Sequence, residues 1–367
     1  MKCIPLVDLA AQHSEVADAV SAGFARVLGQ MELIGGPEVA AFEREYAAFQ
    51  QVAHCIGVGN GTDALELALR ALGISAGDEV IVPANSFIAS ALAVLRAGAR
   101  PVLVDCDPVH GLIDPVHVGS RLGPRTRAIM PVHLYGQMAP MEQLIGLGVP
   151  VIEDAAQAHG ASRLGRSAGA WGVAAGTSFY PGKNLGAYGD AGAILTESEA
   201  IATRLRALRN YGSERKYHHP ELGFNSRLDP LQAVVLRAKL ERLAQWNTRR
   251  AEVAARYDQW LSDVPGVRRP AVLTGNEHVW HLYVIQVLQR DGVLAALNAA
   301  GIGAAIHYPL PMHLQGALAG LGYRPGEFPV AESRSTQMIS LPMHPHLTIA
   351  DQQRVVGALQ RALKAAH

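Results

Sequence analysis

From residue 54 onward, short apolar runs alternate with segments of helical period, and this alternation constrains the fold most. The runs are His54–Val58, Glu79–Pro83, Pro101–Asp105, Ala128–Val132, Val149–Glu153, Ala174–Phe179 and Ala191–Leu195. Each has strand length and is bounded by turn residues. Between several of them, apolar residues recur every three or four positions. The clearest such segment is 63–73, where Asp63 and Glu66 are suited to cap the start and Gly73 to end it. Seven strands of this kind predict an α/β fold: a seven-stranded, mostly parallel sheet with helices on its faces. Sheets of that type gather ligands at the carboxyl ends of their strands, so the residues just after each run are the candidates for chemistry.

The pattern changes after a long predicted helix at Pro230–Arg250, with Asp229 at its N-cap and Pro230 at its first position. Leu231, Val234, Val235, Leu243 and Trp246 are expected to face the protein. Strands near Val279–Leu288, a helix near Gly292–Ala300 and a last helix near Ile349–Ala366 then describe a smaller α+β domain. The expected division is 1–245, an arm plus the large domain, and 246–367, the small C-terminal domain. A length of 367 residues accommodates both.

Composition removes several functions. Lys+Arg and Asp+Glu both number 32, so there is no basic excess for nucleic acid or a membrane surface. No apolar run reaches the ~18 residues of a membrane span. The start, Met1 to Asp8, has no signal-peptide core. Cys3, Cys55 and Cys106 form no disulfide framework, as expected for a cytoplasmic protein. His218-His219 and His344/His346 lack a third ligand at metal spacing, so no metal site is expected.

Five lysines occur, at 2, 183, 216, 239 and 364. Lys239 and Lys364 lie on helices and read as solvated, and Lys216 sits in a charged loop. Lys183 follows a strand in Pro181-Gly182-Lys183-Asn184, framed by aromatics and glycines. A partly desolvated amine there is a nucleophile suited to Schiff-base chemistry. Taken alone, it reads first as a surface lysine in a turn. Glu153 and Asp154 end one strand and face opposite sides of it. One of them can meet the pyridine nitrogen of pyridoxal phosphate, although a helix-capping role suits Asp154 equally well. Gly57, Gly59 and Gly61 lie between a strand and a helix start that favours phosphate. Their spacing differs from a dinucleotide GxGxxG, and the next strand lacks a terminal acid.

These residues resemble the DegT/DnrJ/StrS-type sugar aminotransferases. The resemblance rests on Gly59–Leu65, Asp154–Gly160, Ser178–Gly186, Gly189–Gly192, Asn225–Asp229 and Ile306–Pro309, and it runs from Pro5 to Pro345. It implies fold type I, the aspartate-aminotransferase architecture, in a homodimer. It implies that Lys183 bonds pyridoxal 5'-phosphate, that Asp154 pairs with the pyridine nitrogen and that Gln157 reaches the ring hydroxyl. Phe87 takes the place of the stacking aromatic. Gly61 opens the phosphate loop, the backbone amides of Thr62 and Asp63 hold the phosphate, and Ser178 adds a hydroxyl. Asn225 matches a residue that reaches the neighbouring subunit's phosphate. Some relatives with histidine at the lysine position act as dehydratases; Lys183 therefore implies transamination.

The resemblance also implies L-glutamate as amino donor and a nucleotide-linked keto-sugar as acceptor. The segments around Asn210–Tyr217 and His307–Pro309 look most like enzymes that aminate carbon 3 of a dTDP-linked 3-keto-6-deoxyhexose. Carbon-4 amination, a UDP-linked 3-keto sugar and a non-catalytic cofactor- or sugar-binding regulator are the alternatives. Lys216 is expected to meet the diphosphate, and Tyr217, His307 and Tyr308 the sugar or base. His159 and Arg227 are left without a role.

Overall fold

The computed structural model describes residues 3–365; Lys2 and Ala366, the expected end of the last helix, lie outside them. In the first part of the chain the strands are β1 (His54–Val58), β2 (Glu79–Pro83), β3 (Arg100–Val104), β4 (Thr126–Ile129), β5 (Ile152–Asp154), β6 (Ser162–Arg163), β7 (Arg166–Ser167), β8 (Ala174–Ser178) and β9 (Gly192–Thr196). β9 is buried at all five positions, and β1 and β2 at four of five. They read as continuous apolar runs because helices cover both faces of the sheet.

One ladder has the order β3-β2-β4, with both pairs parallel. A second has the order β1-β9-β8-β5. Parallel bridges between Ile129 and Val151, and between Val132 and Asp154, link the two. Only β9 runs against its neighbours β1 and β8, while β5 and β8 are parallel. The carboxyl ends of β1, β2, β5 and β8 therefore lie along one edge. The short hairpin β6–β7, with β10 (Asn276–Glu277) beside β6, forms a separate three-stranded sheet.

The helix after β1 spans Gly61–Ala71, and its cap is Asn60, whose Oδ1 accepts from the Asp63 amide at 2.9 Å. This corrects the expectation that Asp63 and Glu66 provide the cap. Glu66 is instead buried against Arg70 and Arg96. The long helix begins at Pro230 as expected but continues to Trp260. Its first half packs Ala233, Leu236 and Leu243 into the core beside β8 and β9. Its second half packs Val253, Ala254 and Tyr257 into another core. That core is completed by β11 (Tyr283–Gln286), β12 (Met338–Leu341), the last helix and Ile4 of the N-terminal arm.

Lys239 corrects its reading as solvated. It is 2 % exposed, its Nζ donates to the Gly186 carbonyl at 2.7 Å, and it lies 4.6 Å from the Tyr188 ring centroid. The helix is covered on more than one face, so its polar residues are not all on a wet side. Among the described residues, no helix is long and apolar enough to cross a membrane.

Candidate active site

The strand ends along that edge open into one cavity of about 920 Å³. Lys183 and Asp154 both line it, together with Gln157 on the turn after β5. Burial pushes the Lys183 amine down to about 8, and the Asp154 carboxylate opposes that shift. Asp154 is 5 % exposed; burial raises its pKa, against hydrogen bonds from Ser90 and Ala156 and the charge of Lys183. The Ser90 hydroxyl donates to Asp154 Oδ2 at 2.7 Å, which fixes the carboxylate's rotation.

Glu153 points to the other face of β5, as alternation along a strand requires. It is fully buried and accepts from His133 Nε2 and from the amides of Gly169, Trp171 and Gly172, all within 2.9 Å. His133 Nδ1 accepts from the Ala139 amide, and the His133 amide donates to the Asp154 carbonyl. These bonds pin the strand end that carries Asp154.

The same cavity is lined by the helix start at Gly61 and Thr62, which meets Ser178 at the end of β8. A Cβ at Gly61 would lie 2.5 Å from the Ser178 Cβ, so only glycine lets these two backbones approach. The first N–H groups of the helix have no intrahelical partner and carry its positive dipole end. With the Ser178 hydroxyl, they suit a phosphate. Asp63 does not line the cavity: its amide is taken by Asn60, and its carboxylate by Ser226 and Arg96.

Phe87 is 52 % exposed at the cavity wall, its ring centroid 5.3 Å from that of Tyr308. Gln157 accepts from the Tyr135 amide at 2.6 Å, and its Nε2 is 3.3 Å from the Tyr308 hydroxyl. His307 also lines the cavity, with its Nδ1 2.8 Å from Ser340 Oγ. Burial and the Lys183 charge push the His307 ring down to about 4.

Besides Asp63, three predicted residues lie elsewhere. Asn225 is exposed. Lys216 and Tyr217 stand on an exposed loop, Tyr217 at 82 %, with the ammonium 5.1 Å from the Tyr217 ring centroid. None of the three lines this chain's own cavity. Sequence reasoning missed His281, Asp190 and the arm residues Leu6, Val7 and Leu9, which do line it. His159 is buried outside it, beside Thr177 and Phe179.

The family model for DegT/DnrJ/EryC1/StrS aminotransferases matches residues 16–360. The chain belongs to this family. It is 47 % identical to the dTDP-3-amino-3,4,6-trideoxy-alpha-D-glucose transaminase of Streptomyces venezuelae, over 97 % of this chain and 95 % of that one. It is 48 % identical to the erythromycin biosynthesis sensory transduction protein EryC1 of Saccharopolyspora erythraea, over 97 % and 99 %. The crystal structure of S. venezuelae DesV with a ketimine intermediate superposes with a TM-score of 0.96 at 46 % identity, covering 98 % of both chains. The family's cofactor is pyridoxal phosphate. The cavity fits it: a helix start close-packed on Ser178, suited to a phosphate, lines it together with a buried carboxylate and a lowered lysine.

Proposed function

We propose that this family member moves an amino group from L-glutamate to carbon 3 of a dTDP-linked 3-keto-6-deoxyhexose. The observation that carries the reading is that Lys183 and Asp154 line one cavity, where burial holds the amine at about 8 against the charge of Asp154. Its likeness to the S. venezuelae transaminase supports the choice of acceptor. Lys183, Asp154, Gln157, Phe87, Thr62 and Ser178 hold the cofactor. Bound there, pyridoxal phosphate supplies the electron sink for a substrate carbanion and carries nitrogen from donor to acceptor.

Each protein group has a distinct task. The Lys183 amine, neutral in an appreciable fraction near pH 8, takes a proton from the donor's α-carbon and later delivers one to carbon 3 of the sugar. Asp154 would pair its carboxylate with a protonated ring nitrogen, and Ser90, donating to Oδ2, keeps that carboxylate aimed. The helix start at Gly61 neutralises phosphate charge without a side chain.

Asn225, Lys216 and Tyr217 are exposed here, and they fit a homodimer in which each subunit completes its partner's site. The division near residue 245 falls within the helix that joins the two cores. We place the protein in the cytoplasm, where glutamate and nucleotide sugars occur together.

The test is the visible spectrum of the cofactor-loaded protein with glutamate, followed by a panel of dTDP- and UDP-linked 3- and 4-keto sugars. Glutamate is expected to convert the band, and a dTDP-linked 3-keto sugar to restore it. Turnover of 4-keto sugars alone would refute carbon-3 amination.

A further inference from the structure

His281 is 8 % exposed and lines the cavity, yet the tasks above leave it unused. Its Nδ1 lies 3.3 Å from Asn184 Oδ1. The Asn184 amide nitrogen is engaged elsewhere, donating to Asn247 Oδ1 at 3.0 Å and to the Val279 carbonyl at 2.8 Å. Its oxygen only accepts, so the proton of the His281 ring sits on Nδ1. The ring is neutral: burial, then the charges of Lys183 and Arg250, hold its pKa well below the usual histidine range. A neutral ring protonated at Nδ1 presents a lone pair at Nε2. Among the described residues, no group of the chain bonds that atom.

Arg250 holds the backbone of this residue. It is 1 % exposed, and its NH1 donates to the carbonyls of Trp280, His281 and Met343 at 3.1, 3.4 and 3.0 Å. No carboxylate pairs with it among the described residues. An uncompensated buried cation is expensive. Here it fixes the cavity wall and opposes protonation of the ring.

We propose that His281 is a specificity-determining residue for the sugar half of the reaction, its Nε2 accepting a hydrogen bond from a hydroxyl of the keto-sugar. The assignment rests on the functional reading above. The two substrates differ in what they offer. Glutamate brings carboxylates, which only accept hydrogen bonds, and an amino group that is committed to the reacting centre. A sugar brings hydroxyl donors. A neutral lone pair on a buried ring of the cavity wall suits the second and disfavours the first.

The experiment compares the two half-reactions in full-length, cofactor-loaded wild type, His281→Phe and His281→Gln. The glutamate half is read as conversion of the visible band in a single turnover. The sugar half is read as its return with a dTDP-linked 3-keto-6-deoxyhexose. His281→Phe removes the acceptor and leaves a buried hydroxyl unpaired, so the sugar half should slow by about 10- to 100-fold in kcat/KM. The glutamate half should stay within about twofold. In His281→Gln an amide oxygen takes the place of Nε2 and should recover most of the loss. Equal losses in both halves, no loss in either, or a Gln variant as impaired as Phe would each overturn the assignment. Should the Phe variant not load cofactor, the Gln variant and calorimetric binding of the amino-sugar product to wild type and Gln decide between the same outcomes. Wild type that converts with glutamate but with no keto-sugar refutes the functional reading and takes this assignment with it. That result appears before any variant is made.

Discussion

Replacing Lys183 by Met should abolish amino transfer and at the same time stabilise the cofactor-free protein. The second effect follows from the lowered amine. Its pKa is about 8 in the fold against 10.5 for an unperturbed lysine. Each unit corresponds to about 1.4 kcal/mol, so keeping a protonatable amine in this cavity costs the fold about 3 kcal/mol at pH 7. The attraction of Asp154 is already contained in that value. A lowered lysine pKa means that the unfolded chain binds more protons between the two values. Stability therefore rises with pH through that window, and the penalty is full below about 8. At pH 9.5 the folded amine is neutral and the penalty falls to about 1 kcal/mol. Lys183→Met removes the titration altogether. The variant should exceed wild type in urea unfolding free energy, and its advantage should shrink by about 2 kcal/mol from pH 7 to pH 9.5. Packing changes from the new side chain are independent of pH and cancel in that comparison. An advantage equal at the two pH values, or larger at 9.5, would show that the amine is not desolvated and would remove the physical basis for its nucleophilicity.

Lys239→Met should show the same sign of pH dependence, because burial pushes that amine down to about 8 as well. Its turnover should stay within about tenfold of wild type, since Lys239 does not line the cavity and its Nζ bonds the Gly186 carbonyl beside the Tyr188 ring; steady-state rates beside the urea series separate the two lysines. Glu153→Gln exchanges half of a four-bond acceptor for an N–H group facing other donors. It should lose about 3 kcal/mol or more in denaturant unfolding, and a loss under 1 kcal/mol would deny that Glu153 pins β5. Asn225→Ala should release cofactor faster on dialysis. Mixed with Lys183→Ala subunits, it should regain roughly a quarter of wild-type turnover, because one site of a mixed dimer is then intact. No recovery after subunit exchange would contradict shared sites.

The residues that the structure gathers around the cavity at Gly61, Asp154 and Lys183 were legible because they stand out in local chain chemistry. A strand ending in Glu153-Asp154 sends one carboxylate to each face by alternation alone. A strand, a glycine turn and a helix start make a phosphate cradle within eight residues, Cys55 to Thr62. The buried strands stood out as apolar runs for the same reason: two covered faces leave no polar alternation. The two-residue strands of the β6–β7 hairpin left no such trace. The helix cap was misplaced by three residues because Asn60 and Asp63 are both competent N-caps, each with an acid three residues on, and their neighbours in the fold chose between them. Arg70 and Arg96 claimed Glu66, while Ser226 and Arg96 claimed the Asp63 carboxylate. Lys239 was misread because helical periodicity reports one wet face, and a helix that joins two cores does not keep one.

The acceptor half depends on distances that sequence spacing does not encode. Asn184 owes its position to Lys183, one residue away. The ring it orients comes from residue 281, and the cation behind that ring from residue 250. No motif spans such separations, and either histidine of His278-Val279-Trp280-His281 reads equally as a packing residue. Only the fold shows that Asn184 has spent its N–H groups and therefore dictates the tautomer of His281. The division is physical. A phosphate and a pyridine ring are invariant ligands, met by a turn and a strand end that a few contiguous residues build. A sugar is distinguished from an amino acid by where single donors and acceptors stand on a dry wall, and such a wall is assembled from distant segments. Among relatives with different acceptors, the residues that vary in effect should therefore lie at positions such as 281, 307 and 308 rather than beside Lys183.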